Sequence, residues 1–440
     1  MTAVGDEIDT TAAIDASQQK QQQQQQRRSS ISQLETKDEA NYAAVFVPAV
    51  AVILGLVMLL LYILGAAISN AIFGVDDSGG DMSEQWSVRG KARSPINSGE
   101  LWCTFDFRAM PETFKYPGSG VCDAFVFCCL RLNETGVHVD EGVRHLERMV
   151  NAANATRREG QASLSRVKVL AVVGRRDGTP PLLKTQASIG KKELVARIVA
   201  WVLSSGLSGI VMNYDNDLTG DYYAVVSSLY VQLHARGLWL LQVFDYNNEA
   251  DTFSAGAFVR RRMVPVVRMG HAYLEDDVSV LACPAQYGSG GHAAWSFETE
   301  LAEYAAFNKA SFGRDCLDRT MVTASFRGYH YKIQGPNHKA KRVGTASYAT
   351  ICAKQSEPHT VSDYSNATDC LEVRRGSHWF SMLGPNSTRL FKRAAQSLGL
   401  IAFHAEQDDH EGHCGHRFPL LKAAKAQLRR HARNWSVTLT

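Results

Sequence analysis

The sequence predicts an α/β fold, a closed (β/α)8 TIM barrel preceded by one transmembrane helix. Eight short apolar runs rich in β-branched and aromatic residues recur between residues 100 and 430, and helical apolar spacing separates several of them. Alternation of this kind forms parallel sheets, and eight strands can close a barrel. An open doubly wound sheet is the alternative. No GxGxxG or GxxxxGK(S/T) loop follows the first runs, so neither usual nucleotide site is indicated.

Each predicted element has its own local signal. The helical segments have apolar residues every three or four positions, at 139–154, 191–205 and 221–235. In chain order, the eight strand runs are LWCTFDF (101–107), CDAFVFCCL (122–130), RVKVLAVVG (166–174), LSGIVMNYD (207–215), LWLLQVF (238–244), MVPVVRM (263–269), MVTASFRGY (321–329) and LGLIAFHAE (398–406).

The segment before the barrel predicts membrane anchoring. No charged residue lies between Glu39 and Asp76, and the apolar stretch 42–75 exceeds the roughly 20 residues that span a bilayer core. A cleaved signal peptide is the alternative, but this stretch is too long and begins some forty residues into the chain. The glutamine-rich segment 1–41 has too few apolar residues to fold, and 76–99, rich in Gly, Ser and charge, is predicted to be a stalk.

The flanking residues favour a type II single-pass topology, with the lipid bilayer as a partner and the barrel lumenal or extracellular. Basic residues precede the span and aspartates follow it, which places the N-terminus in the cytoplasm. The chain has five Asn-X-Ser/Thr sequons, all after the span, at Asn133, Asn154, Asn366, Asn386 and Asn434. In that compartment the nine cysteines can pair.

Composition excludes several classes of function. The net charge is +3, and no long basic run lies in the body of the chain, so no nucleic-acid partner is expected. The cysteines form no CxxC pair, which argues against a zinc ribbon or a thioredoxin-type centre. Histidines, acids and Cys414 crowd the stretch HAEQDDHEGHCGH (404–416), but no two of these histidines combine an established zinc-site spacing with a separate partner pair. We expect no metal and no cofactor.

Three stretches together carry a family resemblance: GLSGIVMNYDN (206–216), FRGYHY (326–331) and GLIAFHAEQDDHEGHCGHRFPLL (399–421). They resemble the fourth, seventh and eighth barrel strands of family 18 glycoside hydrolases, the chitinases and chitinase-like lectins. The resemblance covers 100–430 and implies an α+β insertion between strands seven and eight, at 334–385, where GTASYATICAK matches a motif of that insertion. The segment 431–440 is then a C-terminal tail.

The resemblance also implies disulfides. Family members join the first strand to the start of the second, here Cys103 with Cys122. They join the insertion to the loop after the eighth strand, here Cys352 with Cys414. Pairing of Cys352 with the nearer Cys370 is the alternative.

The catalytic positions that the resemblance implies have lost their usual acids. In this family the substrate's acetamido oxygen is the nucleophile, a glutamic acid supplies the proton and an aspartate two residues earlier orients the acetamido group. Alternation places these groups on one face of the strand. The matching residues are Asp215 for the glutamate, Asn213 for the aspartate, Val211 for the next aspartate inward, and Ser208 for the outermost one. Asp215 is one methylene shorter and Asn213 is uncharged, so we expect impaired hydrolysis.

Other positions favour a sugar-binding cleft. The resemblance places His271 where the family has an acetamide-contacting tyrosine and Phe403 where it has a tryptophan under the sugar. The aromatic residues Tyr214, Phe403, Phe127 and Trp379 are candidates for stacking on sugar rings, although Phe403 and Phe127 would equally fill the barrel, and His271 would equally pack as a structural histidine. We expect a binder of chitin-like or N-acetylglucosamine-containing glycans. A weakly active glycosidase using Asp215 and a scaffold that binds protein only are the alternatives.

Overall fold

A computed structural model describes the part of the chain that contains the predicted barrel. The described residues are 96–118, 120–133, 136–138, 142–155, 167–174, 189–213, 220–245, 264–269, 281–288, 295–334, 339–432 and 436–437. The predicted tail, the predicted span at 42–75 and most of the predicted stalk lie outside them. Within the described residues, no helix has both the length and the apolar character needed to cross a bilayer.

All eight predicted strands form one closed parallel barrel. Each strand pairs with the next one in chain order, and the eighth pairs with the first through Gly399↔Glu100. This confirms the closed barrel over the open sheet. The barrel strands are β2 (Glu100–Asp106), β3 (Ala124–Asn133), β5 (Lys168–Gly174), β6 (Gly209–Asn213), β7 (Trp239–Asp245), β8 (Val264–Arg268), β9 (Met321–Ser325) and β15 (Gly399–Phe403). Two short additions are β1 (Ile96–Asn97), paired with β16 (Ser436–Val437), and β4 (Gly136–His138), antiparallel to β3.

Helices connect the strands, as expected of such a barrel. The helix before β9 has a complete set of end signals: Ser296 accepts a hydrogen bond from the Thr299 backbone N–H at 3.1 Å, and Gly313 ends the helix with φ 74°. The helices are α1 (Val143–Ala155), α2 (Lys191–Ser204), α3 (Gly220–His234), α4 (Phe297–Phe312), α5 (Tyr348–Gln355), α6 (Arg389–Ala394) and α7 (Pro419–His431), with short 3-10 turns at Leu317–Arg319 and Ala405–Gln407.

The barrel interior is packed with side chains from alternate strand positions. One buried cluster joins residues from all eight barrel strands, including Trp102, Val126, Val172, Val211 and Ile401. At the amino-terminal end of the barrel the interior is polar. There the Glu100 carboxylate accepts hydrogen bonds from Lys168 Nζ and from Trp102 Nε1. The interior is therefore a core closed at one end by a buried ion pair.

A second sheet lies between β9 and β15 in the chain, where the resemblance implies an insertion. Its strands are β10 (Gly328–Gln334), β11 (Lys339–Ala346), β12 (Val361–Ser365), β13 (Cys370–Arg375) and β14 (His378–Leu383). The five strands are antiparallel, in the order β11, β10, β14, β13, β12, and α5 follows β11. The sheet begins six residues before the expected boundary at 334, because FRGYHY lies just after β9 and includes the start of β10.

Four disulfides form among the nine cysteines. Both pairings implied by the resemblance are present, Cys103–Cys122 and Cys352–Cys414. The alternative partner for Cys352 is engaged elsewhere, because Cys370 bonds to Cys283 and ties the second sheet to the segment after β8. The two pairings that the sequence did not predict are Cys283–Cys370 and the adjacent pair Cys128–Cys129, and Cys316 is a buried free thiol.

Candidate functional site

The candidate site lies at the carboxyl-terminal ends of the barrel strands, the end at which TIM-barrel sites form. The closed ring brings together residues that are far apart in the chain. The strand-end residues at this edge are Asp106, Gly174, Asn213, Ser325 and Phe403, and Cys128 of β3 lies opposite Asp106.

Asn213 is the last residue of β6, and it is the residue that the resemblance aligns with an assisting aspartate. It pairs with Gly174 across the parallel ladder, and a Cβ on Gly174 would lie 2.2 Å from the Asn213 carbonyl oxygen. Glycine is therefore required to let the two strand ends approach. The Asn213 side-chain oxygen Oδ1 is buried and has no hydrogen-bond partner within the described part of the chain. A buried acceptor without a donor is costly, so an N–H or O–H that reached this oxygen would be stabilised by it.

Val211 on β6 and Ser208 just before it have structural roles. Val211, two residues before Asn213, is 2% exposed and belongs to the interior cluster. The Ser208 hydroxyl accepts a hydrogen bond from the Val169 backbone N–H at 3.2 Å, so it stabilises the start of the neighbouring strand β5. Neither residue can transfer a proton to or from a ligand at the rim.

Phe403 and two polar residues form another part of the rim. Phe403, at the end of β15, is partly buried against the interior cluster, so its ring lies at the top of the packed core. His404 follows it with a left-handed backbone, φ 60°, and its Nδ1 lies 3.2 Å from the Ser325 hydroxyl at the end of β9. The group therefore presents an aromatic ring and an imidazole at the rim, and the fully buried Ser325 hydroxyl holds the imidazole in place.

Glu406 is a buried acid that is not among the predicted site residues. Its Oε2 accepts a hydrogen bond from the Asp106 backbone N–H at 3.1 Å, while Oε1 is buried without a partner among the described residues. Burial raises the pKa of Glu406 to about 7. Its position three residues after Phe403 was the one sequence signal that Glu406 lies near the rim. The sequence does not show that the side chain turns inward.

The remaining predicted site residues are either buried or outside the described residues. Phe127 is fully buried and stacks on Phe107 at 5.4 Å, at a strand position that alternates with the interior residues Val126 and Cys128. Trp379 is 6% exposed and packs with Tyr331 in a cluster on the second sheet, so it offers little surface to a ligand. Three predicted residues lie outside the described residues: Tyr214, Asp215 and His271.

The stretch HAEQDDHEGHCGH folds around backbone hydrogen bonds. Asp409 accepts three of them, from the N–H groups of residues 412, 413 and 414, and Asp408 accepts those of Leu420 and Leu421 at the start of α7. Cys414 is held in its disulfide. The two aspartates that could have been metal ligands therefore cap a loop and a helix, and no metal-binding cluster of three ligands occurs among the described residues.

The described rim combines an amide, a partly buried aromatic ring and an imidazole that is paired with a buried hydroxyl. Groups of these kinds hydrogen-bond and stack on ligands in small-molecule sites. A neutral amide at position 213 cannot stabilise the positive charge that develops in glycosidic cleavage, which is the task of a carboxylate in this type of reaction.

Solved structures with the same fold belong to chitinases and chitinase-like proteins. The Group IV chitinase of Ostrinia furnacalis, in complex with allosamidin, superposes with a TM-score of 0.60 at 17% identity, covering 76% of this chain and 100% of that one. Human YKL-39, described as a pseudo-chitinase with retained chitooligosaccharide binding properties, gives 0.58 at 12% identity and 75% and 99% coverage. The Class V chitinase of Nicotiana tobaccum gives 0.57 at 12% identity and 75% and 98% coverage. No protein-family model matches the chain, and no curated protein matches its sequence.

Proposed function

We propose that this protein is a membrane-anchored, chitinase-like binder of chitooligosaccharides or related N-acetylglucosamine-containing glycans, with impaired hydrolysis. Asn213 carries the proposal. It ends the fourth barrel strand with a buried, unpartnered amide oxygen, where the resemblance would have a carboxylate. Such an oxygen accepts a hydrogen bond from an acetamido N–H but supplies no charge to an oxazolinium.

Two observations support sugar binding. The partly buried ring of Phe403 lies at the top of the barrel core, and His404, held by the buried Ser325 hydroxyl, adds an imidazole at the same rim. The superposable human YKL-39 is described as binding chitooligosaccharides although it is a pseudo-chitinase. The combination of this fold with a changed acid is thus compatible with a ligand-binding role.

The rival function is slow chitinase-type hydrolysis with Asp215 as general acid. It is favoured by one sequence observation, since Asp215 retains a carboxyl group at the position of the family's acid. Its shorter side chain moves the proton roughly 1 Å from the required place, and a displacement of this size costs about a hundredfold in rate.

The two functions are separated by measuring binding and turnover on the same detergent-solubilised chain. We expect titration calorimetry with N-acetylglucosamine oligomers to show binding that Phe403→Ala abolishes, and fluorogenic chitooligosaccharides to show no turnover. Asp215→Ala is the decisive variant. Turnover by the unmodified chain that is lost in this variant would show that the protein is an enzyme. A chain that binds neither the N-acetylglucosamine oligomers nor the fluorogenic chitooligosaccharides would favour a protein-binding scaffold instead.

The membrane topology is part of the proposal. Of the five sequon asparagines, Asn366 and Asn386 are exposed on the described surface, and four disulfides accompany them, which supports a lumenal or extracellular barrel. We expect enzymatic deglycosylation of the membrane-expressed chain to increase its gel mobility. Asn366→Gln with Asn386→Gln would remove part of that shift, and an unshifted chain would contradict the topology.

A further inference from the structure

The second sheet carries a straight line of basic residues across four adjacent strands. Lys341 on β11 lies directly opposite Lys332 on β10, Lys332 lies opposite His378 on β14, and His378 lies opposite Arg375 on β13. Residues directly opposite each other in antiparallel strands project from the same face. We call these four residues the basic row. At the normal spacing between strands it is roughly 14 Å long.

The basic row is exposed and is poorly balanced by acids. Lys332, Lys341, Arg375 and His378 are all exposed. Among the described residues, Glu357 is the carboxylate that contacts the row, and it pairs with Arg375 at one end. Neither lysine at the other end has a carboxylate partner in the described part of the chain. Like charges placed directly opposite each other destabilise a sheet, so the free protein gains nothing from this arrangement.

A second imidazole adjoins the row. His330 lies two residues before Lys332 on β10, its Nε2 is 2.8 Å from His378 Nδ1, and its ring stacks on Phe380 at 4.3 Å. Burial, followed by the neighbouring His378 and Lys354, lowers the pKa of His330, as expected in positive surroundings. Two imidazoles beside lysines and an arginine are unfavourable for a metal cation. One N–H is used in the hydrogen bond between His330 and His378, so the neutral pair keeps one N–H that can be donated to an anion.

The surroundings of the row favour a linear polymer over the planar surface of a bilayer. The helix α5 covers the sheet beside the row: a Cβ on Gly328 of β10 would lie 2.6 Å from Ile351 Cδ1, and Gln355 hydrogen-bonds Ser362 of β12. A helix is about 10 Å in diameter, so it stands above the sheet face and keeps a planar bilayer away from the row. A polymer chain with regularly placed anionic groups can lie along it.

We propose that the basic row binds an anionic polysaccharide, a chain bearing sulfate or carboxylate groups that lies across the four strands. This site is separate from the barrel rim and does not depend on the glycan-binding role proposed for it.

The test uses immobilised heparin and the full chain in detergent. Lys332→Gln with Lys341→Gln should weaken heparin binding about tenfold, because each exposed ion pair contributes a factor of up to about five. The matched control is Arg429→Gln with Arg430→Gln, which removes two exposed cations from the last turn of α7 and should change the affinity less than about twofold. Equal weakening by both pairs would overturn the proposal, since it would show attraction to net charge alone.

Two further measurements separate polysaccharide binding from a structural role of the lysines and from lipid binding. The unfolding midpoint of the Lys332→Gln, Lys341→Gln variant should be unchanged or raised, because like-charge repulsion is relieved. A lowered midpoint would mean that the lysines serve the fold and would count against a binding site. Tighter binding to phosphatidylserine vesicles than to heparin would assign the row to a lipid surface instead. Chitooligosaccharide binding at the barrel rim should be the same in this variant, so the two proposals fail independently.

Discussion

Removing the lysine from the buried ion pair at the amino-terminal end of the barrel should destabilise the fold without touching the candidate site. Lys168 Nζ lies 3.1 and 3.0 Å from the two carboxylate oxygens of Glu100, and the two side chains are 9% and 7% exposed. Two other donors remain on the carboxylate, the Asn97 backbone N–H at 3.0 Å and Trp102 Nε1 at 2.7 Å. Lys168→Met therefore leaves a buried negative charge that keeps part of its hydrogen bonding.

The expected loss of stability in Lys168→Met follows from the burial and the remaining hydrogen bonds of Glu100. Breaking a buried ion pair by removing one partner costs about 3–5 kcal/mol, and the two remaining donors place Lys168→Met near the lower value, about 3 kcal/mol. Replacing Glu100 by Gln in the same chain removes the uncompensated charge while keeping an acceptor for Trp102. The double variant should therefore recover part of the loss.

The assay is the urea unfolding midpoint followed by tryptophan fluorescence. The matched control is Arg197→Met, which breaks the exposed pair with Glu193, whose side chains are 39% and 54% exposed, and should cost only about 0.3–0.5 kcal/mol. A loss below about 1 kcal/mol for Lys168→Met, or a double variant less stable than the single one, would refute the reasoning. Chitooligosaccharide binding should be unchanged in all three variants.

Three further predictions concern other parts of the chain. Because burial raises the pKa of Glu406 from 4.5 to about 7, its contribution to stability is fully present below pH 4.5 and is lost as the pH rises through 7. Glu406→Gln should therefore flatten the dependence of the unfolding free energy on pH over this range, by roughly 3 kcal/mol, and an unchanged profile would contradict the assignment. Gly174→Ala should destabilise the barrel by about 1–3 kcal/mol or more, since the new Cβ would lie 2.2 Å from a backbone carbonyl, whereas Gly344→Ala, with no neighbour within 4 Å, should be nearly neutral by thermal unfolding. Replacing both Cys283 and Cys370 by Ala opens a loop of 87 residues and should cost up to about 4 kcal/mol in a urea titration under oxidising conditions, while an unchanged midpoint would show that the bond does not constrain the unfolded chain.

Local signals explain why the barrel strands were predictable. Each of the eight strands, from β2 to β15, is a short run of buried β-branched and aromatic residues, and such a run is visible without knowing its neighbours. The two implied disulfides were predictable for a different reason, since their pairing came from matched motifs rather than from spacing. The bond between Cys283 and Cys370 has no such motif and joins segments 87 residues apart, so the sequence did not predict it.

The candidate site was predictable only in part. That residue 213 is an asparagine can be read directly from the sequence, and its comparison with an assisting aspartate rests on the resemblance. The inward position of Glu406, its contact with the Asp106 backbone and the placement of Trp379 in the core of the second sheet depend on how distant strands pack. For the crowded histidines and acids of 404–416, the sequence shows only their spacing. The structure shows that Asp408 and Asp409 accept hydrogen bonds from backbone N–H groups.

The sequence by itself determined the eight strands, the helices between them and the chemical groups at the rim, because hydrophobic periodicity and residue identity are local properties of the chain. Only the tertiary structure decided which of these groups meet. The register of β10, β11, β13 and β14 aligns four basic residues that are dispersed along the chain between Lys332 and His378, and barrel closure brings Glu406 to Asp106. Contacts of this kind depend on strand pairing between distant segments, and a shift of one residue would turn each side chain to the opposite face.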